Sequence, residues 1–189
     1  MQDNVSVALD VDGVLAGFTQ AMVQRAQAMG LPFYDHYTEW VGWIDDDTER
    51  GTTFDKVWET LDDTFWLNDV QPLAKAHVPF QVDAYVTARA SVSNGITELW
   101  LSKHGFPAAP VHKVDCREDK EPVLAALGVD YFVDDDSETV QMLQGSEEYD
   151  GRAILMDTPH NHLEPVSPRL YYLSDLPRLV YDYERSAIE

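Results

Sequence analysis

Asp10-Val11-Asp12-Gly13 places two carboxylates two residues apart, with a glycine after the second. Along an extended chain, side chains at i and i+2 point the same way. Gly13 lets the backbone turn sharply at that point. Two carboxylates near one point can divide work, one attacking as a nucleophile while the other moves a proton. Their mutual repulsion calls for a cation, and Mg²⁺ with oxygen ligands suits them. A calcium loop of the EF-hand type is excluded, because its twelfth position would be Ala21. The second acidic string, Asp134-Asp135-Asp136, fails the same test, with Thr139 at the glycine position and Gly145 at the end. Read alone, that string before Ser137 also suits a helix N-terminus. Beside Asp10 and Asp12 it becomes a source of metal ligands.

Three further residues carry donors. Thr87 offers a hydroxyl to a phosphate oxygen, and the backbone N–H that follows, of Ala88, offers another. Lys120 can neutralise charge on a transferring phosphoryl group, with Lys113 as its competitor. Arg89 is suited to a second phosphate or to capping a helix. His160 and His162 are polar residues in a loop after an apolar run, with a substrate contact or a surface role both open. Cys116 is the single cysteine, so no internal disulfide can form, and it reads as structural.

The elements that must position these residues are short. Apolar runs at Val5–Leu9, Val82–Val86, Tyr131–Val133 and Ala153–Met156 end at Asp10, Thr87, Asp134 and Asp157, and Val111–Val114 is a weaker fifth. Helical patterns lie between them. Phe18–Met29 ends at Gly30. A helix capped by Ser91 or Ser93 should present Ile96, Leu99 and Trp100 on one face. Asp119 precedes a helix with Val123, Leu124 and Leu127 before Gly128, and Ser137–Leu143 and Leu176–Tyr183 follow. Alternating strands and helices predict an α/β fold, a Rossmann-like parallel sheet between two helical layers. Ligands of such sheets bind beyond the carboxyl ends of the strands. That rule brings Asp10, Thr87 and Asp134 together.

Residues 17–73 break the alternation. They hold no clear strand and many aromatics: Phe18, Phe33, Tyr34, Tyr37, Trp40, Trp43, Phe54, Trp58, Phe65 and Trp66. The stretch reads as a small helical cap inserted after the first strand. Residues 1–16 and 74–189 then form the core domain. Most of these aromatics are expected in the cap's own core.

Asp10-Val-Asp12-Gly-Val, Thr87, Lys120 and Asp134-Asp135 resemble, in order, the four motifs of the haloacid dehalogenase superfamily. Leu9–Phe18, Phe65-Trp66-Leu67-Asn68 to Pro72-Leu73, Glu118-Asp-Lys120 and Ile154–Asn161 look more closely like its 5′(3′)-deoxyribonucleotidase branch. The resemblance implies an aspartyl-phosphate formed on Asp10, and Asp12 as acid and then base. It implies Mg²⁺ held by Asp10, the Asp12 backbone carbonyl and an acid of the Asp134-Asp135 pair, and phosphoryl oxygens held by Thr87, Ala88 N–H and Lys120. Phe18, Phe65 and Trp66 would stack on a base. There are departures. Thr87-Ala-Arg89 also occurs in polynucleotide 3′-phosphatases, and Lys120 stands farther before Asp134 than in the animal nucleotidases.

The expected function is therefore hydrolysis of nucleoside monophosphates, probed against two rivals. One is a phosphatase of polynucleotide ends or of a non-nucleotide ester. The other is a receiver-type phospho-acceptor domain. The formal charge of −21 opposes long nucleic acids as partners. It also suits a soluble surface or a salty environment. The apolar runs are too short for a membrane span, and Met1–Val5 lacks the features of a secretory leader, so the chain reads as cytosolic. A homodimer is compatible with all of this.

Overall fold

The computed structural model describes residues 5–31, 49–89 and 92–186. Six strands form one parallel sheet: β1 (Val7–Leu9), β2 (Ala84–Thr87), β3 (Val111–Lys113), β4 (Tyr131–Asp134), β5 (Arg152–Met156) and β6 (Arg169–Leu170). Their order is β3-β2-β1-β4-β5-β6. β6 was not expected. Two residues are too few to make an apolar run, and it exists through its pairing with Leu155 and Met156.

The central strands β1, β2, β4 and β5 are buried on both faces, as a parallel sheet between helices requires, while the edge strands β3 and β6 are not. Val7, Leu9, Tyr85, Tyr131, Val133, Ile154 and Met156 pack on one side. Ala8, Ala84, Val86, Phe132, Ala153 and Leu155 pack on the other. The alternation within each strand is the two-residue repeat of a pleated chain. Helices α4 (Lys120–Leu127) and α5 (Ser137–Gln144) cover the second side through Leu124, Val140 and Leu143. Helices α3 (Ile96–Lys103) and α6 (Leu176–Ser186) cover the first through Trp100, Leu101, Leu176 and Val180. The protein is thus a three-layer, Rossmann-like α/β fold.

Between β1 and β2 the described residues are helical: α1 (Phe18–Ala28), α2 (Glu49–Trp58) and a π-helical turn, Phe65–Asp69. Their apolar residues Ala21, Met22, Val57, Phe65 and Trp66 belong to the same cluster as Val7 and Leu9 of β1. These described residues pack into the sheet's own core. Phe33, Tyr34, Tyr37, Trp40 and Trp43 lie outside the described residues.

Helix α3 differs from expectation at its start and on its buried face. Its N-cap is Gly95, at φ 86°, not a serine, and Ser93 N–H instead donates to Asp63. Ser91 lies outside the described residues. Leu99 is 56% exposed, while Thr97, Trp100 and Leu101 are buried. Trp100 sets that register, because its indole N–H donates to Val70 O at 2.8 Å and its ring stacks on Phe106. A buried indole N–H must find a partner, and satisfying it outweighs leaving one leucine in water.

Candidate active site

The site lies where the strand order changes direction, at the carboxyl ends of β1 and β4. Leu9 pairs with Val133, so Asp10 and Asp134 leave the sheet side by side. Asp10 N–H donates to Val133 O at 2.8 Å, carrying the pairing one residue past β1. Lys120, at the start of α4, reaches in between them. Its ammonium lies 2.7 Å from Asp134 Oδ2 and 3.2 Å from Asp10 Oδ2. Lys113 is elsewhere, donating to Val92 O from β3.

Asp10, Asp134 and Asp135 form an acidic triad whose nearest oxygens lie within 4.8 Å of one another. All three are strongly desolvated, and burial raises each carboxyl above its ordinary value. For Asp10 burial is the largest cause, Asp134 and Asp12 add to it, Lys120 opposes it, and the group is pushed up to about 7. Burial opposes charge on Lys120 as well, but Asp10 and Asp134 outweigh it and hold the ammonium above the ordinary lysine value. Asp10 and Asp134 are buried and Asp135 half-buried, with Lys120 between the first two and His160 on the third; a bound divalent ion would relieve the repulsion among the three acids. Asp10 Oδ1 is buried without a hydrogen-bond donor. The donor set is all oxygen. The triad therefore fits Mg²⁺, with Asp10, Asp134 and Asp135 as the residues that would hold it. The Asp12 carboxylate is not part of the triad.

Local chemistry explains the glycine. Gly13 has φ +70°, and a Cβ there would collide with the Asp135 carboxylate. The small residue is what lets the β1 loop and the β4 loop approach. Asp134 is fully buried, with Oδ1 accepting from Asp136 N–H at 2.9 Å and Oδ2 taken by Lys120. Asp136 then caps α5, accepting from Glu138 N–H and the Thr139 hydroxyl. The three consecutive acids thus divide between the triad and a helix cap.

The loop after β5 braces this arrangement from behind. Asn161 is buried and donates to Asp135 O at 2.7 Å and Met156 O at 2.8 Å. Its side-chain oxygen accepts from Thr158 N–H and Arg169. His160 Nε2 lies 3.0 Å from Asp135 Oδ2. Burial disfavours the imidazolium, but Asp135 outweighs it and raises the His160 pKa. His162 is distant in role, exposed and paired with Asp157.

Above the acids opens a cavity of about 450 Å³. Asp10, Asp12, Thr87 and Ala88 line its floor, and Phe18, Trp58 and Trp66 line its wall. The Thr87 hydroxyl is buried with no hydrogen-bond partner, a donor with nothing to donate to. Arg117 also lines the cavity, paired with Glu138 and Asp136.

Of the three aromatics expected against a base, Phe18 and Trp66 line the cavity. Phe65 is fully buried and does not line the cavity. Trp66 is 3% exposed, stacked on Phe18 at 4.9 Å and lying against the Arg89 guanidinium at 4.8 Å. Trp58, expected within the cap's core, is 40% exposed at the cavity wall. Arg89 neither caps α3, which begins at Ile96, nor lines the cavity. Its Nε and one terminal nitrogen donate to Asp12 at 2.7 and 2.6 Å. The link joins the ends of two neighbouring strands, and strand order is not written in either motif. Arg117 was not anticipated, and Asn161 and Trp58 were named without a role at the site. Nothing local distinguishes them from surface residues, apart from the position of Asn161 shortly after a strand.

Compared with known proteins, the chain matches no family model and no curated sequence.

Proposed function

We propose that the chain is a Mg²⁺-dependent phosphomonoesterase acting through an aspartyl-phosphate on Asp10. It resembles the haloacid dehalogenase superfamily in its four motifs, with a small helical cap over the core. The observation that carries the reading is Lys120 held between the buried Asp10 and Asp134, with the half-buried Asp135 completing an acidic triad. Mg²⁺ in that triad would neutralise charge on the phosphoryl group and orient it. Asp10 displaces the leaving oxygen at phosphorus, and Asp12 supplies that oxygen with a proton. Asp12 then takes a proton from water, which attacks the phosphorus of the acyl phosphate and releases inorganic phosphate and free Asp10. The Thr87 hydroxyl and Lys120 hold phosphoryl oxygens.

The substrate class is a nucleoside monophosphate, with the base against Trp58. The burial of Phe65 and Trp66 favours, as a second reading, a small non-nucleotide ester on the same machinery. The net charge of −21 opposes polynucleotide ends. A phosphate-release screen over nucleoside monophosphates, sugar phosphates and an aryl phosphate, with and without Mg²⁺, tests this. Metal-dependent release that vanishes in Asp10→Asn is expected. A chain that takes one phosphoryl group from a small acyl phosphate and never turns over would instead be a receiver-type acceptor. No release from any ester would end the phosphatase reading.

A further inference from the structure

Arg89 is 2% exposed, and it spends two nitrogens on the two oxygens of Asp12. A fork of this kind sets the plane of a carboxylate as well as its position. Asp12 needs such a constraint. Its side chain is 24% exposed at the cavity, where a short carboxylate with two free torsions would sample several rotamers. The guanidinium is itself held by rings, with Trp66 at 4.8 Å and Trp100 at 5.9 Å. Trp66 stacks on Phe18 at the start of α1. The helical segment between β1 and β2 thus reaches Asp12 through Arg89.

We propose that Arg89 is a positioning residue for Asp12, fixing the orientation from which that carboxylate exchanges protons with the leaving oxygen and with water, and that Trp66 holds Arg89 in place. This rests on the phosphatase reading. Two donors occupy two of the about four lone-pair sites of a carboxylate, so sites remain for a proton. Direct contact of Arg89 with a phosphate is opposed by its position, since the side chain does not line the cavity.

The test compares an alkyl phosphate, whose leaving oxygen needs a proton, with an aryl phosphate, whose leaving oxygen departs without one. The purified full chain is assayed with Mg²⁺ as wild type, Arg89→Gln, Arg89→Lys, Asp12→Asn and the Asp12→Asn/Arg89→Gln double variant. Proton transfer by a positioned group is worth about 10²- to 10⁴-fold. Arg89→Gln should therefore lower kcat/KM about 100-fold on the alkyl ester and less than about 10-fold on the aryl ester, with KM unchanged. In the Asp12→Asn background, where hydrolysis of the aspartyl-phosphate is disabled, the same substitution should not slow the single-turnover burst of aryl alcohol further, since a residue acting through Asp12 has no lever once Asp12 is disabled. Arg89→Lys keeps the charge but loses the fork, and should shift the alkyl-to-aryl ratio in the same direction by a smaller factor. That variant carries the comparison should Arg89→Gln fail to fold. Equal losses on both esters, additive losses in the double variant, or a rise in KM alone would overturn the assignment. A wild-type chain that cleaves neither ester overturns the phosphatase reading itself, whereas an active wild type with an indifferent Arg89 overturns only the positioning role.

Discussion

Asp10 is a residue whose usefulness and cost have the same origin. Burial beside Asp134 and Asp12 pushes its carboxyl up to about 7. In the metal-free protein the folded state therefore holds a proton that the unfolded chain releases near pH 4. The unfolded state binds fewer protons between those limits, so this group's contribution falls as pH rises from about 4 to 7. Asp10→Asn removes the buried charge. It should abolish turnover yet raise the melting temperature of the metal-free protein at pH 8 by a few degrees, roughly what 1 kcal/mol confers on a domain of this size. A thermal melt with and without Mg²⁺ reads this, and a lower melting temperature would refute it. Protons and metal compete for the same oxygens, so Mg²⁺ affinity should weaken as pH falls below about 7. Calorimetric titration at pH 6 and pH 8 measures it, and equal affinities would count against Asp10 as a ligand. Gly13→Ala combines a left-handed φ with a collision against Asp135. It should cost metal binding by at least about tenfold, because the two loops must part to accept the methyl group.

At the scale of elements, strand ends supply the acids and a loop holds them still. The turn after β5 contributes no candidate reacting group, yet Asn161 ties Asp135 O to Met156 O and to Arg169. Asn161→Ala would leave two carbonyls and a backbone N–H without their partner in a buried place. It should destabilise the fold by about 2–3 kcal/mol and weaken Mg²⁺ binding about tenfold or more. Denaturant unfolding and metal titration measure the two effects. A stability loss with unchanged metal affinity would show that the turn braces the sheet but not the triad. The helical elements between β1 and β2 differ from expectation in a telling way. Among the described residues, Phe65 and Trp66 bury in the core and Trp66 lies against Arg89, while Trp58 alone of these aromatics turns a large exposed ring to the cavity.

Across the whole molecule the charge is −21, and the described ion pairs do not offset it. Self-repulsion among surface carboxylates opposes the compact state and is screened over about 10 Å at 0.1 M salt. Stability should rise as KCl goes from about 0.02 to 0.5 M, in contrast to proteins held by surface ion pairs. Melting temperature against ionic strength checks it, and a flat or falling curve would mean that repulsion is not what limits this fold. No helix among the described residues is long and apolar enough to cross a membrane.

The alternation of apolar runs and helical patterns was enough to place five of the six strands and the parallel α/β class, because the four central strands must be apolar on both faces over their own few residues. The carboxylates Asp10, Asp134 and Asp135 were legible too, since strand-end positions in an open parallel sheet point to one edge. What the tertiary structure alone decided was pairing. That Lys120 rather than Lys113 meets the acids depends on where the β3–β4 crossover sets α4 down. That Arg89 clasps Asp12, and that Trp66, stacked on Phe18, lies against Arg89, depends on β1 and β2 being neighbours and on an aromatic cluster packed above them. Sequence patterns report whether a residue favours water or the interior, but a contact between distant residues is set by packing, which no single stretch of chain contains.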